Sequence, residues 1–348
     1  MSHDSSPEAP APAAAEIRPM DDADLPAVVD LLERALGKAP GGVDRRALFE
    51  WKHLANPFGR SVALVAEADG VLAGVRTFMR WGLRTAEGGS VQAVRAVDTA
   101  TAPEVRRRGV FSSLTRAGLE RCRAETVAFV FNTPNAKSLP GYLKMGWREV
   151  ARWPMWLRVR HPARLAGAAL RRDLRSGPAV AVTGSTELVP GSAMAGWPGL
   201  ADLLAAAMPL TGLSTARSPE FLRWRYAEGP LPYHALGAGD PLRAVVVGRV
   251  RSRGSLTEAV VCEALCRPDA AADLAGLLRA FPRLAGADHA VASVGPAWPA
   301  RRALALAGYR RLPRAGMTFV VRPVKEDVAP DPLDRASWSL QLGDLELF

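Results

Sequence analysis

Apolar positions along the first half of the chain switch between helical and strand spacing. Ile17 opens a short strand. Leu25, Val28, Val29, Leu32 and Leu36 then form the apolar stripe of a helix that Asp21 or Asp22 can cap. Residues 48–53 read as a short helix end, followed by a turn at Asn56-Pro57-Phe58-Gly59. Residues 61–68 and 71–81 are strands joined at Asp69-Gly70, the chemistry of a hairpin. Further strands are expected over 91–101, 126–132 and 147–158, and helices over 110–123 and 136–144. This order predicts an α/β fold built on a mixed, mostly antiparallel sheet flanked by helices.

The second half follows the same plan. Arg217-Ser218-Pro219-Glu220-Phe221-Leu222-Arg223-Trp224-Arg225-Tyr226 echoes Arg46-Ala47-Leu48-Phe49-Glu50-Trp51-Lys52-His53. Strands are expected over 242–251, 256–266, 290–294 and 317–321, with a helix over 268–281 and another ending at Gly308-Tyr309. The first-half helix ends in the same way at Gly146-Trp147, so the two halves read as tandem copies of one domain. The boundaries that follow are a disordered tail over 1–15, a first domain over 16–160 and a basic linker over 161–190. A second domain spans 191–325, and a tail over 326–348 docks on the body.

Composition agrees with this division and narrows the chemistry. The 348 residues suit two domains, and 48% hydrophobic with 23% charged residues is ordinary for a globular protein. No run of about 18 apolar residues is free of charge, so no membrane partner is expected. The Ala/Pro/Ser-rich start lacks a basic region ahead of an apolar core, and so does not read as a signal peptide. Cys122, Cys262 and Cys266 have no metal-ligand spacing with histidine, which points to a reduced cytoplasmic setting with no metal. The net charge of +10 would attract phosphates, whether on a nucleotide cofactor, tRNA or an anionic lipid.

The segment with the most chemistry joins the strand ending at Thr101 to the helix starting at Val110. It holds Arg106, Arg107, Arg108 and Gly109, with Ser112 and Ser113 in the first helical turn. Backbone N–H groups and the dipole at a helix N-terminus favour an anion, and arginine adds forked donors suited to phosphate. Glycine allows close backbone approach. The segment is therefore a candidate pyrophosphate cradle. The corresponding turn of the second half, Asp269-Ala270-Ala271-Ala272-Asp273, is acidic and glycine-free, which predicts one such site per chain.

Pro103-Glu104-Val105-Arg106-Arg107-Arg108-Gly109-Val110-Phe111 resembles the coenzyme A motif of the GNAT acyl-CoA N-acyltransferase superfamily, an Arg/Gln-x-x-Gly-x-Gly/Ala turn after the fourth strand. Arg106 and Gly109 take the first two marked positions, and Phe111 stands where a small residue is usual. Asn135-Ala136-Lys137-Ser138-Leu139-Pro140-Gly141-Tyr142, then Gly146-Trp147, resembles the family's Asn-x-x-Ala-x-x-x-Tyr motif before Gly-Phe. Ser138 replaces the alanine and Trp147 the phenylalanine. The resemblance covers about residues 17–159 well and the second half in outline, an arrangement similar to tandem GNAT proteins with one degenerate copy.

The resemblance implies an acyl-CoA co-substrate, acetyl-CoA first, lying between two splayed parallel strands. Backbone at Val97, Thr99 and Thr101 would hold the pantetheine arm, and Arg107, Arg108, Val110, Phe111 and Ser112 would flank the pyrophosphate. Asn135 and Ser138 belong to the second motif. Tyr142 matches the family's general-acid tyrosine; read from its surroundings alone, it is a packed helix tyrosine. For the base, Asp98 on the cleft strand is one candidate, or else a partner in an ion pair. Asp344, Glu346 and the end of the chain at Phe348 are others, if the apolar-acidic tail returns to the first cleft. Trp51 and His53 are candidate substrate contacts. Three activities fit these residues: N-acetyl transfer from acetyl-CoA to a small-molecule amine, an aminoacyl-tRNA-dependent transfer, or non-catalytic acyl-CoA sensing by a monomer or homodimer.

Overall fold

The computed structural model describes residues 15–39, 42–106, 108–182, 185–207, 211–296, 298 and 301–345. The first half runs β1 (Glu16–Pro19), α1 (Leu25–Leu36), α2 (Arg45–His53), β2 (Val62–Ala68), β3 (Val71–Thr85), β4 (Ser90–Thr101), α3 (Val110–Ala124), β5 (Phe129–Asn132), α4 (Leu139–Lys144) and β6 (Arg148–Val159). There follow α5 (Pro162–Leu170), β7 (Ser176–Ala179), β8 (Val189–Pro190), α6 (Gly191–Met194), α7 (Leu200–Ala206), β9 (Leu213–Thr215) and α8 (Pro219–Tyr226). The chain then forms β10 (His234–Ala238), β11 (Ala244–Arg253), β12 (Leu256–Cys266), α9 (Ala271–Leu284), β13 (His289–Ala292), α10 (Arg301–Leu306), β14 (Arg310–Pro323) and α11 (Leu342–Leu345).

Local chemistry sets several helix starts. Ahead of α1, the Asp21 carboxylate accepts from the backbone N–H of Ala23 and Asp24, and Asp24 accepts from that of Asp21, a reciprocal capping box. Leu25, Val28, Leu31 and Leu32 then turn one buried face to the sheet. Asp44 caps α2 through Ala47 N at 2.7 Å, and Ser218 caps α8 through Phe221 N at 3.0 Å. The two segments that echo each other in sequence are thus both short capped helices.

Among the described residues one fourteen-stranded sheet carries the fold, in the order β1-β2-β3-β4-β5-β14-β6-β13-β12-β11-β10-β8, with β7 on β11 and β9 on β3. Two neighbouring pairs are parallel, β4 with β5 and β12 with β13. The last strands are exchanged. The first half's β6 pairs with β13, and the second half's β14 pairs with β5. Each half therefore completes the other's sheet, and residue 160 does not separate two independently closed units.

The stretch expected as a linker is tied into the sheet. β7 pairs with β11 and β8 with β10, and both His161 and Arg164 hold the buried carboxylate of Asp288. The C-terminal segment docks firmly. Trp338, Leu340, Leu342 and Leu345 are buried. β12 and β13 pair only from Glu258 to Val261 and His289 to Ala292. Beyond that point the tail lies between them: Gly295 N donates to Leu340 O, and Gln341 Oε1 accepts from Ala264 N at 2.8 Å. The gap between the second parallel pair is thus filled by the protein's own chain. Of the predicted tails, residues 1–14 and 346–348 lie outside the described residues.

Candidate functional site

The first parallel pair is left open. β4 and β5 pair only at Ala93–Arg95 with Phe129–Phe131. Beyond Arg95 the strands part around a cavity of about 520 Å³, whose walls include residues 96–101 of β4 and Asn132, Asn135, Ser138, Tyr142 and Phe111. The cavity has the strand splay that a slender thioester arm needs. Val97, Thr99 and Thr101 are among its lining residues.

β4 bulges at the middle of this wall. Val75 faces Ala100 and Thr77 faces Val97, so Asp98 and Thr99 share Arg76 as their partner on β3. Asp98 takes a left-handed φ of +41°, uncommon for a residue with a side chain. The bulge sends the two side chains to different neighbours. Asp98 Oδ2 accepts from Lys52 Nζ at 2.7 Å and lies 2.9 Å from His53 Nε2. Thr99 Oγ1 accepts from Arg76 Nη1 at 2.6 Å, and the same nitrogen donates to the Tyr142 hydroxyl oxygen at 3.0 Å.

The charges here are set by burial and pairing. Burial alone would raise the Asp98 carboxyl, but Lys52 and His53 outweigh it and hold the group well below the usual carboxylate range. Its two short contacts make Asp98 the ion-pair partner that the sequence offered as the alternative to a base. Burial pushes the His53 imidazole down, against the pull of Asp98. A neutral His53 donating from Nε2 to Asp98 accepts at Nδ1 from the Ser61 hydroxyl, 2.8 Å away. His53 therefore braces Asp98 from behind and does not line the cavity. A smaller cavity of about 220 Å³ is lined by His53 and Ser61 but by neither Asp98 nor Tyr142.

Tyr142 lies on α4 with its ring 5.1 Å from Trp147 and 6.2 Å from Phe111. The unusual Phe111 thus becomes a wall of the cleft and a packing partner of the tyrosine. Asn135 Oδ1 accepts from the N–H groups of Lys137 and Ser138, both at 3.0 Å, which fixes the turn that starts α4. At the other end of β4, Gly109 precedes α3 with φ +83° and ψ −4°, and an added Cβ would meet nothing within 4 Å. The first backbone bond of α3 runs from Ser113 N to Gly109 O, so the N–H groups of Val110, Phe111 and Ser112 precede the helical ladder. Arg106 and Arg108 are exposed beside this turn, and Arg107 lies outside the described residues. The glycine conformation, the open space and the free helix start fit a pyrophosphate.

Two expected site residues are placed elsewhere. Trp51 is buried in the core against Trp224 and is not a substrate contact. Asp344 is fully buried, with its carboxylate held by Arg217 Nη2 at 2.7 Å, Thr215 Oγ1 at 2.8 Å and Gln341 N at 2.7 Å; it anchors the tail and is no base. Its neighbour Leu345 does reach the cavity wall, beside Arg95, whose guanidinium donates to the carbonyls of Asp344 and Leu345. Glu346 and Phe348 lie outside the described residues. Sequence reasoning missed Lys52, Arg76 and Arg95. A charged residue inside an apolar strand was the available signal for the two arginines.

The family model described as an acetyltransferase (GNAT) domain matches residues 16–150, the span that contains the open splay, Gly109 and Tyr142. Residues 16–150 are thus similar to a GNAT domain. No curated protein matches the chain in sequence. Solved structures resemble it in fold. A conserved protein of unknown function from Enterococcus faecalis V583, described as a probable N-acyltransferase, aligns with a TM-score of 0.60 at 15% identity, covering 90% of this chain and 73% of that one. A GCN5-related N-acetyltransferase from Anabaena variabilis gives 0.59 at 12% identity, with 90% and 73% covered. Eis1 from Mycobacterium abscessus gives 0.55 at 17% identity, with 89% and 74% covered. Among the described residues, no helix is long and apolar enough to cross a membrane.

Proposed function

We propose that the protein transfers an acyl group, acetyl first, from coenzyme A to the amine of a small molecule. The observation that supports this best is that one cavity is lined both by the β4–β5 splay and by Tyr142, with the Gly109 helix start following the end of β4. In this reading the pyrophosphate rests on the N–H groups of Val110–Ser112, and the pantetheine arm follows Val97–Thr101. The amine attacks the thioester carbonyl, the C–N bond forms and the C–S bond breaks. Tyr142 then gives its proton to the departing thiolate.

The amine must also lose a proton. An alkylamine near pKa ~10.4 is neutral in roughly one molecule per thousand at pH 7. Asp98 is already paired with Lys52 and His53, so we assign the base to Glu346 of the acidic tail. We read the second half as an altered copy without a thioester site. Its splay is filled by the tail, and Asp269 before α9 and Asp273 in its first turn are both paired with Arg243.

A thermal-shift and thiol-release experiment tests the reading. Acetyl-CoA should stabilise the protein, and an amine library should yield thiol release that Tyr142→Phe lowers about 100-fold at nearly constant KM for acetyl-CoA. Stabilisation by charged tRNA alone would sink the proposal, and thioester binding without turnover would make the protein a sensor.

A further inference from the structure

Arg76 is an anomaly in the core. It is fully buried, and its guanidinium remains charged in proteins. Among the described residues no carboxylate forms an ion pair with it, and its Nε and Nη2 have no hydrogen-bond partner. Among the described residues its polar contacts are two hydroxyls, Thr99 Oγ1 and Tyr142 Oη, both taken by Nη1. Three aromatic faces enclose the charge: Phe78 at 4.6 Å, Tyr142 at 5.3 Å and Phe111 at 5.4 Å. Burying a cation without an anion is costly, so a fold that only needed to fill this space would do so with an apolar side chain.

We propose that Arg76 is a positioning residue for Tyr142. The inference rests on the proposed acid role of that tyrosine. By donating to the phenolic oxygen, Arg76 leaves the O–H to point elsewhere, into the cleft that Tyr142 lines. It also places a fixed positive charge against the oxygen that holds negative charge once the proton passes to the thiolate. The β4 bulge contributes, because it is Thr99 in the bulge that holds the other side of the same guanidinium nitrogen. Arg76 itself does not touch the substrates.

The test is a double-mutant cycle on the full chain with acetyl-CoA and an accepted amine. Arg76→Met should lower kcat about 10-fold or more, leave KM for acetyl-CoA within about 2-fold, and be partly rescued by Arg76→Lys. In the Tyr142→Phe background, Arg76→Met should cost nothing further. Thr99→Val keeps the charge while freeing its anchor, and should show the same dependence on Tyr142 if Arg76→Met folds poorly. Multiplying losses in the double variant would make Arg76 a merely structural residue and overturn the inference. An unaltered kcat in Arg76→Met, with Tyr142→Phe impaired, overturns the inference alone. An unaltered kcat in Tyr142→Phe overturns the acid role and this inference together.

Discussion

Trp51 and Trp224 donate their indole N–H groups to each other's backbone carbonyl, at 2.8 and 2.9 Å, with their rings stacked 4.9 Å apart. The pair joins the two capped helices whose sequences echo one another. Its reciprocity is what two copies related by an approximate twofold axis would produce. The same helices carry a second correspondence: His53 meets Asp98 on β4, and Tyr226 donates to Glu263 on β12 at 2.9 Å.

This reciprocity makes a stability prediction. Trp51→Phe or Trp224→Phe leaves one buried carbonyl without its donor, at a cost of about 1–3 kcal/mol. The two changes should be non-additive, because each tryptophan serves as both donor and platform. Urea unfolding reads the stability, and KM for the amine should not move. A raised KM with unchanged stability would restore Trp51 to the substrate site.

Much of the fold was legible because local periodicity and caps decide it: the stripe of α1, the Asp69-Gly70 hairpin and the glycine before α3 all act within a few residues. The long-range answers were not. Lys52 is charged in sequence and buried in the fold because Asp98 meets it from 46 residues away. Asp344 reads as an exposed acid until Arg217, 127 residues earlier, is seen to hold it. The exchange of β6 and β14 has no local signature, since either strand satisfies either neighbour's backbone.

Acid stability should depend on the Lys52–His53–Asp98 cluster. Asp98 is depressed in the folded state, so its contribution is present above the unfolded value near 3.9 and is lost as pH falls below it. His53 is also depressed, so below about pH 6.5 the unfolded chain binds a proton that the folded chain refuses, and stability falls with pH there too. Urea midpoints from pH 8 to pH 4 should therefore decline, and His53→Gln should flatten the limb just below about pH 6.5. An identical limb in that variant would show that His53 is protonated in the fold.

Gly109 separates conformational from electrostatic effects. Its left-handed φ costs a side-chain-bearing residue about 1–2 kcal/mol, while the open space adds no clash. Gly109→Ala should lower stability by about that amount. Gly109→Glu also places an anion at the helix start, and should weaken coenzyme A binding about 10-fold beyond the alanine variant by calorimetry. Equal affinities for the two variants would move the pyrophosphate away from α3.

Asp344 and Glu346 are two residues apart, and their roles should separate cleanly. Arg217 is held between Asp344 and Glu263, both buried, and the three form one unit. Burial pushes the Glu263 carboxyl up, Arg217 opposes this, and the charge of Asp344 adds to it. Removing the shared cation with Arg217→Met leaves two buried acids facing each other and should cost about 3–5 kcal/mol. Asp344→Asn should cost less, because Glu263 still balances Arg217, and the protein that folds should keep its kcat. Glu346→Gln should behave in the opposite way, with stability retained and kcat reduced about 100-fold, the ordinary scale of general-base catalysis. Thermal melts and steady-state rates on the same three variants decide the matter. A normal rate in Glu346→Gln would mean that the amine reaches the cleft already neutral, with no carboxylate from the tail needed to deprotonate it.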